Sequence, residues 1–468
     1  MLTFFPRYFS TRAIICYVIT LTLVSCIFMS HAIPFQFMLF GIVFVILFFT
    51  YATKLTMGWQ HYSPHQFVKK LFVTALIIRA VYVVFMYFYY IQMTGIPHMY
   101  HAGDALQYHA NSIVWRDYGF QEFRQYLREW VGLSDSGYCW WLGLEYLVFG
   151  DYEMPPRIIK CFIDAFSCIL IYNLAKRNFG ESVGRMAAIF CMLMPNMWFY
   201  CGVTLKETEM AFLVILFVER ADAAFRSAKL SFKELILPLV IILVMFTFRT
   251  ALAGVLVASM AAALIFTSKK QLKTWQKVLY SVLFVVWMVS MVSTELLQEA
   301  QMLWEGRGEN QSIGYEWRAN RVNGNTFARY ASASVFAPLI FTIPFPSMVA
   351  VMNQESQMMM NGAYFIKNIL SGLTILAMFM LLFRGEWRKH VLSISVMCGY
   401  LVVLVFSNFA HAERFHFPIL AMELMFAAYG VSQLTNKHKR WYTIWLVGIC
   451  IATVVWSWIK LAGRGLVS

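Results

Sequence analysis

Apolar residues fall in runs of about twenty along most of the chain, separated by short polar connections, without the alternation of half-buried strands. A helix needs roughly 20 mostly apolar residues to cross a bilayer core of about 30 Å. On that measure the pattern predicts thirteen spans, at 13–32, 34–53, 71–93, 158–175, 186–202, 208–219, 235–250, 251–267, 278–294, 363–383, 390–409, 416–434 and 441–461. The run 235–267 is continuous and is divided at Arg249-Thr250. The stretch 335–352 carries Pro338, Pro344 and Pro346, whose missing backbone donors lipid cannot replace, so it is read as re-entrant or interfacial. The expected fold class is an all-α polytopic membrane protein, one multi-span domain over 1–468, with two long connections at 94–157 and 295–362.

Composition agrees. Sixty percent of the 468 residues are hydrophobic and 13% are charged, against about 45–50% and 25% in a soluble domain. These figures exclude a soluble fold and a disordered chain, and nine cysteines spread mostly through apolar runs exclude a disulfide-stapled module. A net charge of +14 would suggest a nucleic-acid partner, but its distribution gives a different reason. Alternate connections hold the basic residues: Lys54, Lys69 and Lys70; Lys176, Arg177 and Arg185; Arg220, Arg226, Lys229 and Lys233; Lys269, Lys270, Lys273 and Lys277; Arg384, Arg388 and Lys389; Lys437, Lys439 and Arg440. By the positive-inside rule these connections and the N-terminus, with Arg7 and Arg12, face the cytoplasm, and no nucleic acid is implied. The first run is long and another span follows directly, so it is read as a retained anchor instead of a cleaved signal peptide.

The opposite face receives both long connections and the short ones at 202–207, Arg249-Thr250 and 410–415. Polar residues gather there: His101, Asp104 and His109; Lys206 and Glu207; Arg249; His411, Glu413 and Arg414. Three charges fall inside spans, Arg79, Asp164 and Glu423, each costing at least about 2.5–3.5 kcal/mol against lipid at mid-bilayer. They are expected to pair, as Arg79 with Asp164, or to line a cavity open to the outer face. No phosphate-binding Gly-x-x-x-x-Gly-Lys, nucleophile Gly-x-Ser-x-Gly or zinc His-Glu-x-x-His motif occurs. His98, His101 and His109 have ligand chemistry without a ligand spacing, and interfacial hydrogen bonding is the simpler reading. Asp104 is placed at or near the start of a helix running through Trp115, with Tyr108 one turn along, which by itself describes a helix cap.

Several segments resemble, in order, the polyprenyl-phosphate-sugar-dependent glycosyltransferases of the GT-C superfamily, which include protein mannosyltransferases and lipid A aminoarabinose transferases. These are Asp104-Ala-Leu-Gln-Tyr108-His, Gly137-Tyr-Cys-Trp-Trp141 through Gly150, Pro156-Arg157, the stretch 171–180, Met194-Pro195-Asn196, Thr204-Leu-Lys-Glu207 and Ala412-Glu-Arg414-Phe-His-Phe-Pro418. The likeness covers roughly 95–220 well and the rest by hydropathy alone. Two features depart from it: Ala105 follows Asp104 where many members carry a second acid, and Lys206-Glu207 stands where an Asp is frequent.

The resemblance implies transfer of a sugar from a polyprenyl-phosphate carrier to a glycan, lipid or protein hydroxyl, with inversion at the anomeric carbon; the charge sidedness puts this at the non-cytoplasmic face, and the absence of retention signals and long tails points to a bacterial inner membrane, where that face is periplasmic. The acceptor needs a base, for which Asp104 is the candidate, and the departing phosphate needs cations, for which Lys206, Arg249 and Arg414 are available. Glu207 is placed with Asp104 as catalytic, orienting Lys206 or helping to hold a divalent ion; Tyr108 and His411 complete the substrate-binding set. No cofactor is assigned, and a divalent cation between the two loops is kept as an alternative. Trp140, Trp141 and Tyr146 are read as interfacial anchors, and the glycine- and arginine-bearing 299–335 as a solvated surface loop. Two rival functions are an O-antigen or exopolysaccharide polymerase and a lipid-linked sugar transporter or flippase. The early Asp104 motif speaks against the first, and polar groups gathered at one face instead of the midplane against the second.

Overall fold

A computed structural model describes residues 2–126, 133–227, 232–267, 274–291, 337–406 and 410–466. The loop reading at 299–335 therefore lies outside the described residues. The regular structure is helical: α1 (Arg7–Ile27), α2 (Phe35–Gly58), α3 (Pro64–Thr94), α4 (Gly103–Tyr126), α5 (Leu133–Phe149), α6 (Met154–Phe179), α7 (Glu181–Leu193), α8 (Pro195–Cys201), α9 (Glu207–Arg226), α10 (Phe232–Phe248), α11 (Thr250–Phe266), α12 (Thr274–Met291), α13 (Glu355–Met359), α14 (Asn361–Phe383), α15 (Val391–Val405), α16 (Glu413–Ser432) and α17 (His438–Ala462).

Among the described residues seven helices, α1, α2, α3, α6, α14, α16 and α17, are long and apolar enough to cross a membrane. The apolar α11 and α15 are shorter, at 17 and 15 residues. The expected span 186–202 falls on two helices, α7 and α8, because Pro195 has no N–H to continue the ladder. A break inside an apolar bundle frees carbonyls that lipid cannot satisfy. Here Arg79 of α3 donates to the carbonyls of Cys191 and Met192, at 3.3 and 3.4 Å, while Trp198 Nε1 reaches Met192 O at 2.8 Å. Arg79 is fully buried and ion-paired with Asp164, so of the two expectations for these charges pairing is the one observed.

Helix α16 is the centre of the bundle, buried along its length except at Arg414 and packed on α14, α7, α9 and α15. Gly430 permits the α14 contact: a Cβ there would lie 2.3 Å from Leu373 O. Helices α1, α2, α3 and α17 are buried over about one third of their apolar windows and form the rim of the bundle that faces its surroundings. The proline-bearing stretch is irregular, and residues 342–349 are buried. Its carbonyls are taken by α14, with Lys367 donating to Ile343 O at 3.2 Å and Asn368 to Pro344 O at 3.1 Å.

Helix ends sort into two rims. At one, Arg185 donates to carbonyls of Trp59, Gln60 and Tyr62, Arg177 pairs with Glu219 and Asp222, Arg226 reaches Lys389 O, and His390 meets Asn178. This is the basic rim. At the other, Ala350 N bonds His31 O, Lys460 binds Ser347, Gln354 and Gln357, and His101 meets Glu355. That opposite rim also holds the starts of α4, α9 and α16.

Candidate active site

Five helices, α4, α5, α9, α11 and α16, begin around one pocket at this second rim, each with its N-terminal turn or capping residue among the lining groups. Its volume is about 250 Å³, and its lining includes Asp104, Tyr108, Asp135, Lys206, Glu207, Arg249, Arg414 and Phe415. Each helix start exposes unpaired N–H groups and the positive end of a dipole, so the pocket is biased toward negative charge before any side chain is counted.

Asp104 sits in the first turn of α4 and forms an ion pair with Arg414 in the first turn of α16. Both are partly exposed, 48% and 34%, which puts the pair at the mouth. Lys206 lies deeper, just ahead of α9. Its ammonium pairs with Asp135 and also donates to Ser134 O at 3.2 Å and Phe248 O at 2.5 Å. The last acceptor exists because the chain reverses between α10 and α11 at the single extended residue Arg249, leaving the carbonyl of Phe248 without a helical partner. Burial pushes the Lys206 ammonium below its ordinary value, and Asp135 beside it works in the opposite direction. Tyr108 donates to Asp135 at 3.1 Å, and burial together with that carboxylate raises its phenol.

The two remaining lining charges are less engaged. Glu207, the first residue of α9, is 2% exposed and its Oε2 has no hydrogen-bond partner among the described residues. Arg249 donates to Tyr400 OH at 3.1 Å and makes no ion pair among the described residues. The ring of Phe415 lies 4.5 Å from the Arg249 guanidinium and 4.8 Å from that of Arg414, so one aromatic ring serves both cations. Glu207 is within electrostatic reach of both arginines.

Six of the seven residues singled out from sequence therefore line one pocket: Asp104, Tyr108, Lys206, Glu207, Arg249 and Arg414. His411 does not; its ring lies 5.5 Å from Trp456 of α17. The other histidines serve separate contacts. His98 pairs with Glu153, His109 meets Tyr146 OH at 2.7 Å, and His101 meets Glu355 at 2.8 Å. Among the described residues no three His, Cys, Asp or Glu side chains come together in a way that could hold a metal. Tyr146, expected at the interface, is buried on His109, whereas Trp141 is 41% exposed. Asp135 was not singled out by sequence. Its only local signal is Ser134-Asp135 ahead of an apolar run, a helix start like many others. Comparison with protein-family models, curated proteins and solved structures finds no match to this chain.

Proposed function

We propose that this chain is a membrane glycosyltransferase that moves a sugar from a polyprenyl-phosphate carrier to a hydroxyl of a glycan, lipid or protein. In this reading the bundle has the thirteen spans expected from hydropathy and the GT-C-like arrangement that the resemblance implies. The basic rim is cytoplasmic and the pocket opens to the periplasm of a bacterial inner membrane. One observation carries it: a pocket at the end of an apolar bundle combines five helix N-termini, three cations and a carboxylate at its mouth. Such a place suits a phosphate whose tail stays in lipid while its sugar meets an acceptor from water.

Arg249, which makes no ion pair among the described residues, is the first seat for the donor phosphate, and Arg suits bidentate phosphate recognition. The phosphate then competes with Asp104 for Arg414, and the exchange releases the Asp104 carboxylate to face the acceptor hydroxyl. Asp104 takes the hydroxyl proton as the acceptor oxygen bonds to the anomeric carbon. The bond from that carbon to the phosphate oxygen breaks, and the electron pair leaves on the lipid phosphate, stabilised by Arg249, Arg414 and the helix ends. Attack opposite the leaving group inverts the anomeric centre. Glu207 faces the bound sugar, and Lys206, held by Asp135, adds a point charge from below.

The test is mass spectrometry of lipid-linked and surface glycans from cells with and without the protein. A difference of one sugar is expected. Loss of chain length alone would transfer the assignment to the polymerase, and unchanged glycans would remove it.

A further inference from the structure

Glu413 is absent from the pocket lining, yet it is the residue before Arg414 and it is 4% exposed. Each of its carboxylate oxygens accepts one neutral donor from α8: Asn196 Nδ2 bonds Oε1 and Tyr200 OH bonds Oε2, both at 2.6 Å. Asn196 and Tyr200 are four residues apart, so they stack on one face of α8, and both are buried. That face exists because Pro195 restarts the helix at this depth. Glu413 makes no ion pair among the described residues, although a buried carboxylate held only by neutral donors is costly unless its geometry is needed. The guanidinium it precedes is one-third exposed and would otherwise sample many rotamers at the mouth of the pocket.

We propose that Glu413 is a positioning residue: clamped to Asn196 and Tyr200, it fixes the first turn of α16 so that Arg414 is delivered to the donor phosphate. The inference rests on the donor assignment above and adds to it how the late and early halves of the chain are held in register for that contact. Glu413 itself touches neither phosphate nor sugar.

The experiment measures binding of polyprenyl phosphate to the full chain in lipid nanodiscs, with Glu413→Ala, Arg414→Ala, Arg249→Ala and their pairs. Glu413→Ala is expected to weaken binding about as much as Arg414→Ala, roughly fivefold, with the pair no weaker than either single change, since residues acting through one contact are non-additive. The pair of Glu413→Ala with Arg249→Ala should instead multiply its losses. Glu413→Gln, which keeps a carbonyl for Asn196 and an amide for the Tyr200 oxygen, should restore binding to within about twofold, as geometric positioning requires. Tyr200→Phe removes one donor with little change of volume and provides the same test if Glu413→Ala does not insert. It should weaken binding in wild type and leave Arg414→Ala unchanged. Wild-type affinity in both Glu413→Ala and Tyr200→Phe, or losses that multiply with Arg414→Ala, would overturn the clamp while leaving the donor assignment intact. No binding by the wild-type protein would overturn the donor assignment and the clamp with it.

Discussion

Arg249 gives the sharpest test of the pocket's electrostatics. Among the described residues it is the lining cation with a single neutral hydrogen bond, to Tyr400 at 3.1 Å, whereas Arg414 already holds Asp104 and Lys206 already holds Asp135. A phosphate arriving at Arg249 therefore adds an ion pair without breaking one. Two unit charges 4 Å apart attract by about 4 kcal/mol at an effective dielectric constant near 20, and a charged hydrogen bond nets about 1.5–3 kcal/mol. Losing the guanidinium should cost about 3 kcal/mol, or roughly 100-fold in affinity at 1.4 kcal/mol per decade. The Arg414 guanidinium is one-third exposed and already paired with Asp104, so its own contact with the phosphate is solvent-screened and belongs to the class worth up to about 1 kcal/mol; its removal should cost only roughly fivefold. The assay is titration of polyprenyl phosphate into nanodisc-embedded protein, followed by native mass spectrometry. Arg249→Lys keeps the charge, loses the fork and should fall between alanine and wild type. A ranking with Arg414→Ala weaker-binding than Arg249→Ala, or a change under about threefold for Arg249→Ala, would refute the reasoning.

Replacing Asp104 by Asn should lower sugar transfer by roughly 10²–10⁴-fold while lipid-phosphate binding is kept or tightened, because Arg414 loses its competing partner; transfer at the wild-type rate would dismiss Asp104 as the base. In a Cys26→Ala background, which removes the one exposed native thiol among the described residues, a membrane-impermeant thiol reagent applied to intact cells should label Tyr152→Cys, whose native residue is 72% exposed, and reach Arg388→Cys only after permeabilisation; labelling of both from one side would contradict the two-rim arrangement. Glu153 supplies a pH test. Burial alone would raise its carboxyl, but the His98 hydrogen bond and Arg157 outweigh this and hold it below its usual value. A depressed carboxylate contributes stability above its unfolded pKa, about 4.3, that is lost as pH falls through the folded value. The melting temperature should therefore fall on acidification below about pH 4, and less steeply in Glu153→Gln; equal slopes would disprove the contribution.

Much of this protein was legible one run at a time. An apolar stretch near 20 residues declares a crossing by itself, because lipid rejects unpaired backbone and charge wherever they occur. Successive crossings force the connections to alternate between two rims, which is why residues as far apart as Asp104 and Arg414 could be assigned to one face before any contact was known. Lateral order is another matter. The bilayer is equally apolar on every side of a helix, so hydropathy carries no record of which helix stands next to which.

That record lies in steric fit and in polar partners. Gly430 lets α14 reach α16, Pro195 opens a break that Arg79 fills, and a single-residue reversal at Arg249 frees the carbonyl that seats Lys206. Asp135 joined the pocket and His411 left it for the same reason: the direction of each side chain, one in the first turn of α5 and the other in the turn ahead of α16, is set by packing against neighbours distant in sequence. Local chemistry determined the helices, their solvent and the rim on which each charge lies. Packing between remote segments decided that Arg414 meets a carboxylate 310 residues away, since only the folded bundle sets the distance between them.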